Sequence, residues 1–104
     1  MHQQLNSDSN NKTIAAHIGD TVEIVLDETL TAGYEWAIEN MTEDILQLQS
    51  SDYKPGDAGA IGGSGLRKMV FAIIKPGKGR IKLKNWQRWS GDIYKNFEVG
   101  IQAE

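Results

Sequence analysis

Apolar side chains in this chain recur at every second position in one short run after another, and nowhere at the three-to-four spacing of an amphipathic helix. Val22, Ile24 and Leu26 alternate with Thr21 and Glu23, and Trp36 and Ile38 alternate with Glu35 and Glu39. Leu46 and Leu48 alternate with Gln47 and Gln49, Ile81 and Leu83 with Arg80, Lys82 and Lys84, and Phe97, Val99 and Ile101 close the series. A strand buried on one face has this period because successive side chains point to opposite sides of the pleat. Residues 67–74 form the most apolar segment and suit a central strand, and a first short strand is expected at 13–16. Turn signals separate the runs: Ile18-Gly19-Asp20, a turn or single helical turn at 41–44, and Lys75-Pro76-Gly77. About seven to eight strands with regularly spaced turns predict an all-β chain folded as an antiparallel β-sandwich, with Trp36 in its core.

At 104 residues the chain is one domain, expected to span 12–104. Residues 1–11 carry almost no apolar side chains and read as a disordered N-terminal tail. The absence of cysteine excludes thiol catalysis, disulfides, Cys-ligated zinc and iron–sulfur clusters. No run reaches the roughly 18–20 apolar residues that cross a bilayer. The polar N-terminus lacks the basic start and apolar centre of a signal peptide, so a cytoplasmic location is expected. A net charge of -3 gives no general attraction to nucleic acid or anionic membrane, and a monomer is expected. The basic residues are nevertheless unevenly placed: Arg67, Lys68, Lys75, Lys78, Arg80, Lys82, Lys84 and Arg88 fall in a stretch without a single acid. With Trp86 and Trp89 this resembles the stacking-plus-charge recipe for single-stranded nucleic acid. The alternation of Lys82 and Lys84 with Ile81 and Leu83 is equally that of a solvated sheet face, which is the preferred reading.

Catalysis has little to work with. The histidines are His2, in the expected tail, and His17, beside a turn, and no Gly-x-Ser-x-Gly elbow exists. Asp27-Glu28 and Glu43-Asp44 read as solvated loop acids rather than acid–base pairs, and metal-ligand spacings are missing. The run Gly59-Ala60-Ile61-Gly62-Gly63-Ser64-Gly65 is followed by a strand instead of the helix that a phosphate loop requires. No enzyme, cofactor or metal site is expected. What remains is three irregular segments, at 29–33, 51–65 and 85–92, expected to meet at one end of the sandwich. In the last of them at least one tryptophan should be exposed beside Arg88, a residue pair enriched in protein-binding hot spots.

The same segments, in the same order, carry a resemblance. Thr29-Leu30-Thr31-Ala32-Gly33-Tyr34-Glu35-Trp36, Gly62-Gly63-Ser64-Gly65-Leu66 and Gln87-Arg88-Trp89 resemble the three loop motifs of the chagasin-like inhibitors of papain-family cysteine proteases, the ICP family, over residues 13–103. In that family the motifs read Asn-Pro-Thr-Thr-Gly-aromatic-x-Trp, Gly-x-Gly-Gly and Arg-Pro-Trp. This chain departs from them at Thr29 and Leu30, where Asn-Pro stands, and at Gln87, where arginine stands. The resemblance implies an immunoglobulin-like sandwich and a non-enzymatic, reversible, tight-binding inhibitor of cathepsin L- or B-type proteases. Its three loops would form a wedge in the cleft. The segment around Thr31 would approach the catalytic cysteine, 62–66 would lie along the unprimed side with Leu66 near an apolar pocket, and Trp89 would pack on the primed side. The alternative is a non-inhibitory immunoglobulin-like module that binds another protein or a carbohydrate through the same loops.

Overall fold

A computed structural model of the chain describes residues 1–29, 33–55 and 64–104. Eight strands, β1 (His2–Leu5), β2 (Lys12–Ala16), β3 (Thr21–Thr29), β4 (Tyr34–Met41), β5 (Leu46–Pro55), β6 (Ser64–Ile73), β7 (Gly77–Gln87) and β8 (Ile93–Ala103), form two sheets. One has the order β1-β3-β6-β5 and the other β2-β8-β7-β4. The alternating residues do what their period requires. Val22, Ile24 and Leu26 meet Met69, Phe71 and Ile73 on the inner face of one sheet, and Ile81, Leu83, Phe97, Val99 and Ile101 line the other, with Trp36 buried among them. Gly19 and Gly77 take positive φ in the turns expected around them.

Three expectations need correction. The sheets are mixed rather than purely antiparallel, because β1 pairs in parallel with β3 and β2 in parallel with β8. Residues 1–11 are not a disordered tail: β1 forms an edge of the first sheet with Leu5 buried, and a 3-10 turn at Ser7–Ser9, capped by Asn6, carries the chain across to β2. One apolar side chain and the backbone pairing of His2 to Leu5 with Thr21 to Ile24 suffice, since an edge strand is held chiefly by groups that every residue carries. The segments read as the second and third loops are shorter than expected, because β5 runs on to Pro55, β6 begins at Ser64 and β7 extends to Gln87. Trp86 is therefore a strand residue opposite Glu35, with the Lys84 ammonium 3.9 Å from its ring centre.

The cluster of basic residues is not a bare positive face. Arg67 pairs with Glu28, Lys68 with Glu23, Arg80 with Glu98 and Arg88 with Glu35, each acid coming from a neighbouring strand.

Candidate functional site

The three connections leave the sandwich at the same end. Thr29 pairs with Ser64 in one sheet and Tyr34 with Gln87 in the other, so the boundaries of 30–33, 56–63 and 88–92 lie side by side. The segment 88–92 is the most fully built. The Gln87 N–H donates to the Asp92 carbonyl at 2.9 Å and the Gly91 N–H to the Gln87 carbonyl at 2.8 Å, with Gly91 at φ 74°. Side chains repeat the closure: the Ser90 hydroxyl donates to Gln87 Oε1 at 2.8 Å and accepts from the Asp92 N–H at 3.1 Å. A turn tied this way presents Arg88 and Trp89 at its tip. Arg88 turns to an ion pair with Glu35, whereas Trp89 is 75% exposed.

The indole does not hang free. A Cβ at Gly33 would overlap Trp89 Cη2 and lie 2.8 Å from Cζ2, so the ring rests on the backbone of the first connection at the one residue type that leaves room for it. Gly33 also has φ 79°, which disfavours any other residue. Beside it, the Tyr34 hydroxyl donates to Asp92 Oδ2 at 2.6 Å, and the Tyr34 and Tyr94 rings stand 5.5 Å apart at 48°. The hydrogen bond to Asp92 raises the Tyr34 pKa above the usual phenol value, with burial and the Asp92 charge adding to it.

Beneath this end lies a carboxylate. Glu28 is 1% exposed, its Oε1 accepts from the Trp36 N–H at 2.6 Å and from Arg67 Nε at 3.1 Å, and its Oε2 accepts from Arg67 Nη2 at 2.8 Å. The Trp36 indole N–H donates to the Asp27 carbonyl at 2.8 Å. Reading Asp27-Glu28 as a solvated pair was therefore wrong for Glu28. The residue continues the inward phase of Val22, Ile24 and Leu26, and Arg67 that of Met69, Phe71 and Ile73. Opposite charges in phase with a core face were the signal available in the sequence.

A model of the chagasin family of peptidase inhibitors matches residues 15–101. The chain belongs to this chagasin family. Among solved structures, the cysteine protease inhibitor EhICP2 from Entamoeba histolytica has a TM-score of 0.89 at 20% identity, over 99% of this chain and 96% of that one. Amebosin in solution gives 0.83 at 24%, over 100% and 99%. PbICP-C, solved in complex with falcipain-2, gives 0.74 at 16%, over 98% and 99%. At these identities the likeness is one of fold. No curated protein matches the sequence.

Of the residues expected at the site from the sequence, Gly33, Tyr34, Gln87, Arg88 and Trp89 come together at one end, with Gly65 and Leu66 on the neighbouring strand β6. Leu66 is 41% exposed. Gly65 is needed for packing: a Cβ there would lie 2.5 Å from both the Lys54 carbonyl oxygen and the Tyr53 hydroxyl. Leu30, Thr31, Ala32, Gly62 and Gly63 lie outside the described residues, and Thr29 and Ser64 are placed by their backbone as the ends of β3 and β6. Glu28, Arg67, Asp92 and Tyr94 had not been read as part of the site. Among the described residues, no group of three or more His, Asp or Glu side chains is arranged to hold a metal ion.

Proposed function

We infer that this chain is a non-enzymatic, reversible inhibitor of papain-like cysteine proteases that fills the target's cleft with the end of the sandwich bearing Gly33 and Trp89. The observation that carries the reading is the contact between these two residues: two separate motifs of a peptidase-inhibitor family are assembled into one surface, with an exposed indole backed by a glycine. Preassembly of this kind lowers the ordering cost of association, and a well-supported tryptophan is the side chain most often found at an interface hot spot. EhICP2 is itself a cysteine protease inhibitor, and PbICP-C is seen bound to falcipain-2, which supports the target class.

In this proposal residues 29–33 enter the cleft near the catalytic cysteine, 62–66 pair in extended form along the unprimed side, and Gln87, Arg88 and Trp89 meet the primed side. Gln87 acts by shaping the turn through Ser90, and Arg88 by its pairing with Glu35. The inhibitor works as a monomer and needs no nucleic acid, membrane or cofactor.

Titrating papain or a cathepsin L-type enzyme with the purified chain, and following residual activity on a small peptide substrate, tests the reading. Stoichiometric loss of activity, with the chain recovered uncleaved, is expected. Full activity across several such enzymes at micromolar chain would overturn it in favour of a module that binds another protein or a carbohydrate.

A further inference from the structure

Glu28 ties together strands that border the site end. It is the last inward-facing position of β3, and its carboxylate accepts hydrogen bonds from the start of β4 through the Trp36 N–H and from β6 through Arg67. The Trp36 bond crosses from one sheet of the sandwich to the other. Arg67 in turn reaches β5: its Nη1 donates to Ser51 Oγ at 3.4 Å and its guanidinium lies 5.8 Å from the Tyr53 ring centre, the ring whose hydroxyl covers Gly65. One carboxylate is thus bonded to the strand that enters 30–33, to the strand that leaves it, and to the strand that follows 56–63. A buried ion pair is a poor way to gain stability, because apolar residues of similar volume do as well or better. Its distinctive property is direction, since each donor must come to a fixed place.

We propose that Glu28 is a positioning residue for inhibition, holding β3, β4 and β6 at the spacing with which the protease-binding segments leave the sandwich. This rests on the inhibitory reading above. It assigns a role to a residue that would not itself touch the target.

The experiment uses two variants of the full chain. Glu28→Gln keeps the size and the acceptor for the Trp36 N–H but weakens the hold on Arg67. The paired variant Glu28→Met with Arg67→Met replaces the whole ion pair by apolar side chains and so preserves the fold without the directional bonds. Inhibition kinetics on a papain-like protease should show the paired variant, at a thermal midpoint close to the parent's, binding at least about tenfold more weakly, the cost of ordering one or two additional residues on association. The loss should lie in the dissociation rate. Mass spectrometry should find slow cleavage between residues 29 and 33 in that variant and none in the parent. Amide exchange of the free chain should show the Trp36 N–H as protected as the core strands in the parent, less so in Glu28→Gln, whose amide oxygen accepts more weakly than a carboxylate, and least in the paired variant.

A folded paired variant with the parent's inhibition constant, no cleavage and an unchanged Trp36 N–H would overturn the proposal. So would a parent whose Trp36 N–H exchanges like a surface loop, a measurement that stands even if neither variant folds. If the parent fails to inhibit any protease, the inhibitory reading falls, and with it the role of Glu28 in inhibition; the exchange data then report on the structural tie alone.

Discussion

The indole of Trp89 occupies the space that a side chain at Gly33 would take, on a turn whose tip is otherwise open to solvent. The two residues belong to different sheet connections, yet they are in direct contact. A side chain at Gly33 must either lift the ring or shift the backbone, and φ 79° adds strain for any L-residue.

Gly33→Ala is expected to destabilise the chain by about 1–3 kcal/mol, the range for a non-glycine residue forced into such a conformation. It should also weaken inhibition and alter the tryptophan emission spectrum. Urea unfolding followed by fluorescence, together with the inhibition constant, checks both. An unchanged spectrum with unchanged inhibition would contradict the contact.

Trp89→Ala separates binding from folding. Because the side chain is 75% exposed, its loss should change stability by no more than about 0.5 kcal/mol, as for an ordinary surface substitution. Inhibition should weaken by about 2 kcal/mol, or roughly 30-fold. A variant that loses stability and binding in equal measure would show Trp89 to be a packing residue.

Stability should depend on Glu23, which lies on the outer face of the first sheet. A hydrogen bond from Lys68 is the main influence lowering its pKa below the ordinary 4.5; burial opposes this, and the charge of Lys68 and a contact with His2 assist. A carboxyl depressed in the folded state stabilises fully above its unfolded pKa, and that stabilisation is lost as pH falls through the folded value. Glu23→Gln should therefore lower stability at neutral pH and flatten the decline on the acid side. Urea midpoints across pH 2 to 7, expected to converge for parent and variant at the acid end, provide the check.

Tyr34 has the opposite sign. Its hydrogen bond to Asp92 favours the neutral phenol, so the stabilisation is complete below the unfolded pKa near 10.0 and is lost as pH rises through the raised folded value. Absorbance titration should find a tyrosine step above the ordinary phenol value, and Tyr34→Phe should remove it. The same variant unties β4 from the 88–92 turn and should weaken inhibition at neutral pH.

The basic stretch offers a control. Replacing Lys82 and Lys84 with serine should leave inhibition unchanged, since neither lies at the end where the connections meet. Loss of inhibition in that variant, with Trp89→Ala silent, would move the binding surface to the sheet face.

Much of the architecture was readable because it follows from local chemistry. Alternation assigns a face to each residue from Thr21 to Leu26 without reference to any other strand, and a small residue between β3 and an aromatic-bearing strand marks a turn that needs positive φ at Gly33. The strand at 13–16 was expected, but β1 escaped notice because parallel edge pairing relies on backbone groups common to all residues, and only Leu5 marks β1 as partly buried. Trp86 was misplaced because its neighbours Asn85 and Gln87 interrupt the apolar alternation, although backbone pairing continues through them.

By itself, then, the sequence determined the all-β class, the inward and outward faces of the central strands, and the three motif-bearing segments, since each depends on side chains only a few residues apart. The tertiary structure decided that Glu28 is buried and shared between two sheets, and that Trp89 is seated on Gly33. Those outcomes depend on the distance between residues far apart in the chain, a quantity set by strand register and by how the two sheets meet, which no local pattern encodes.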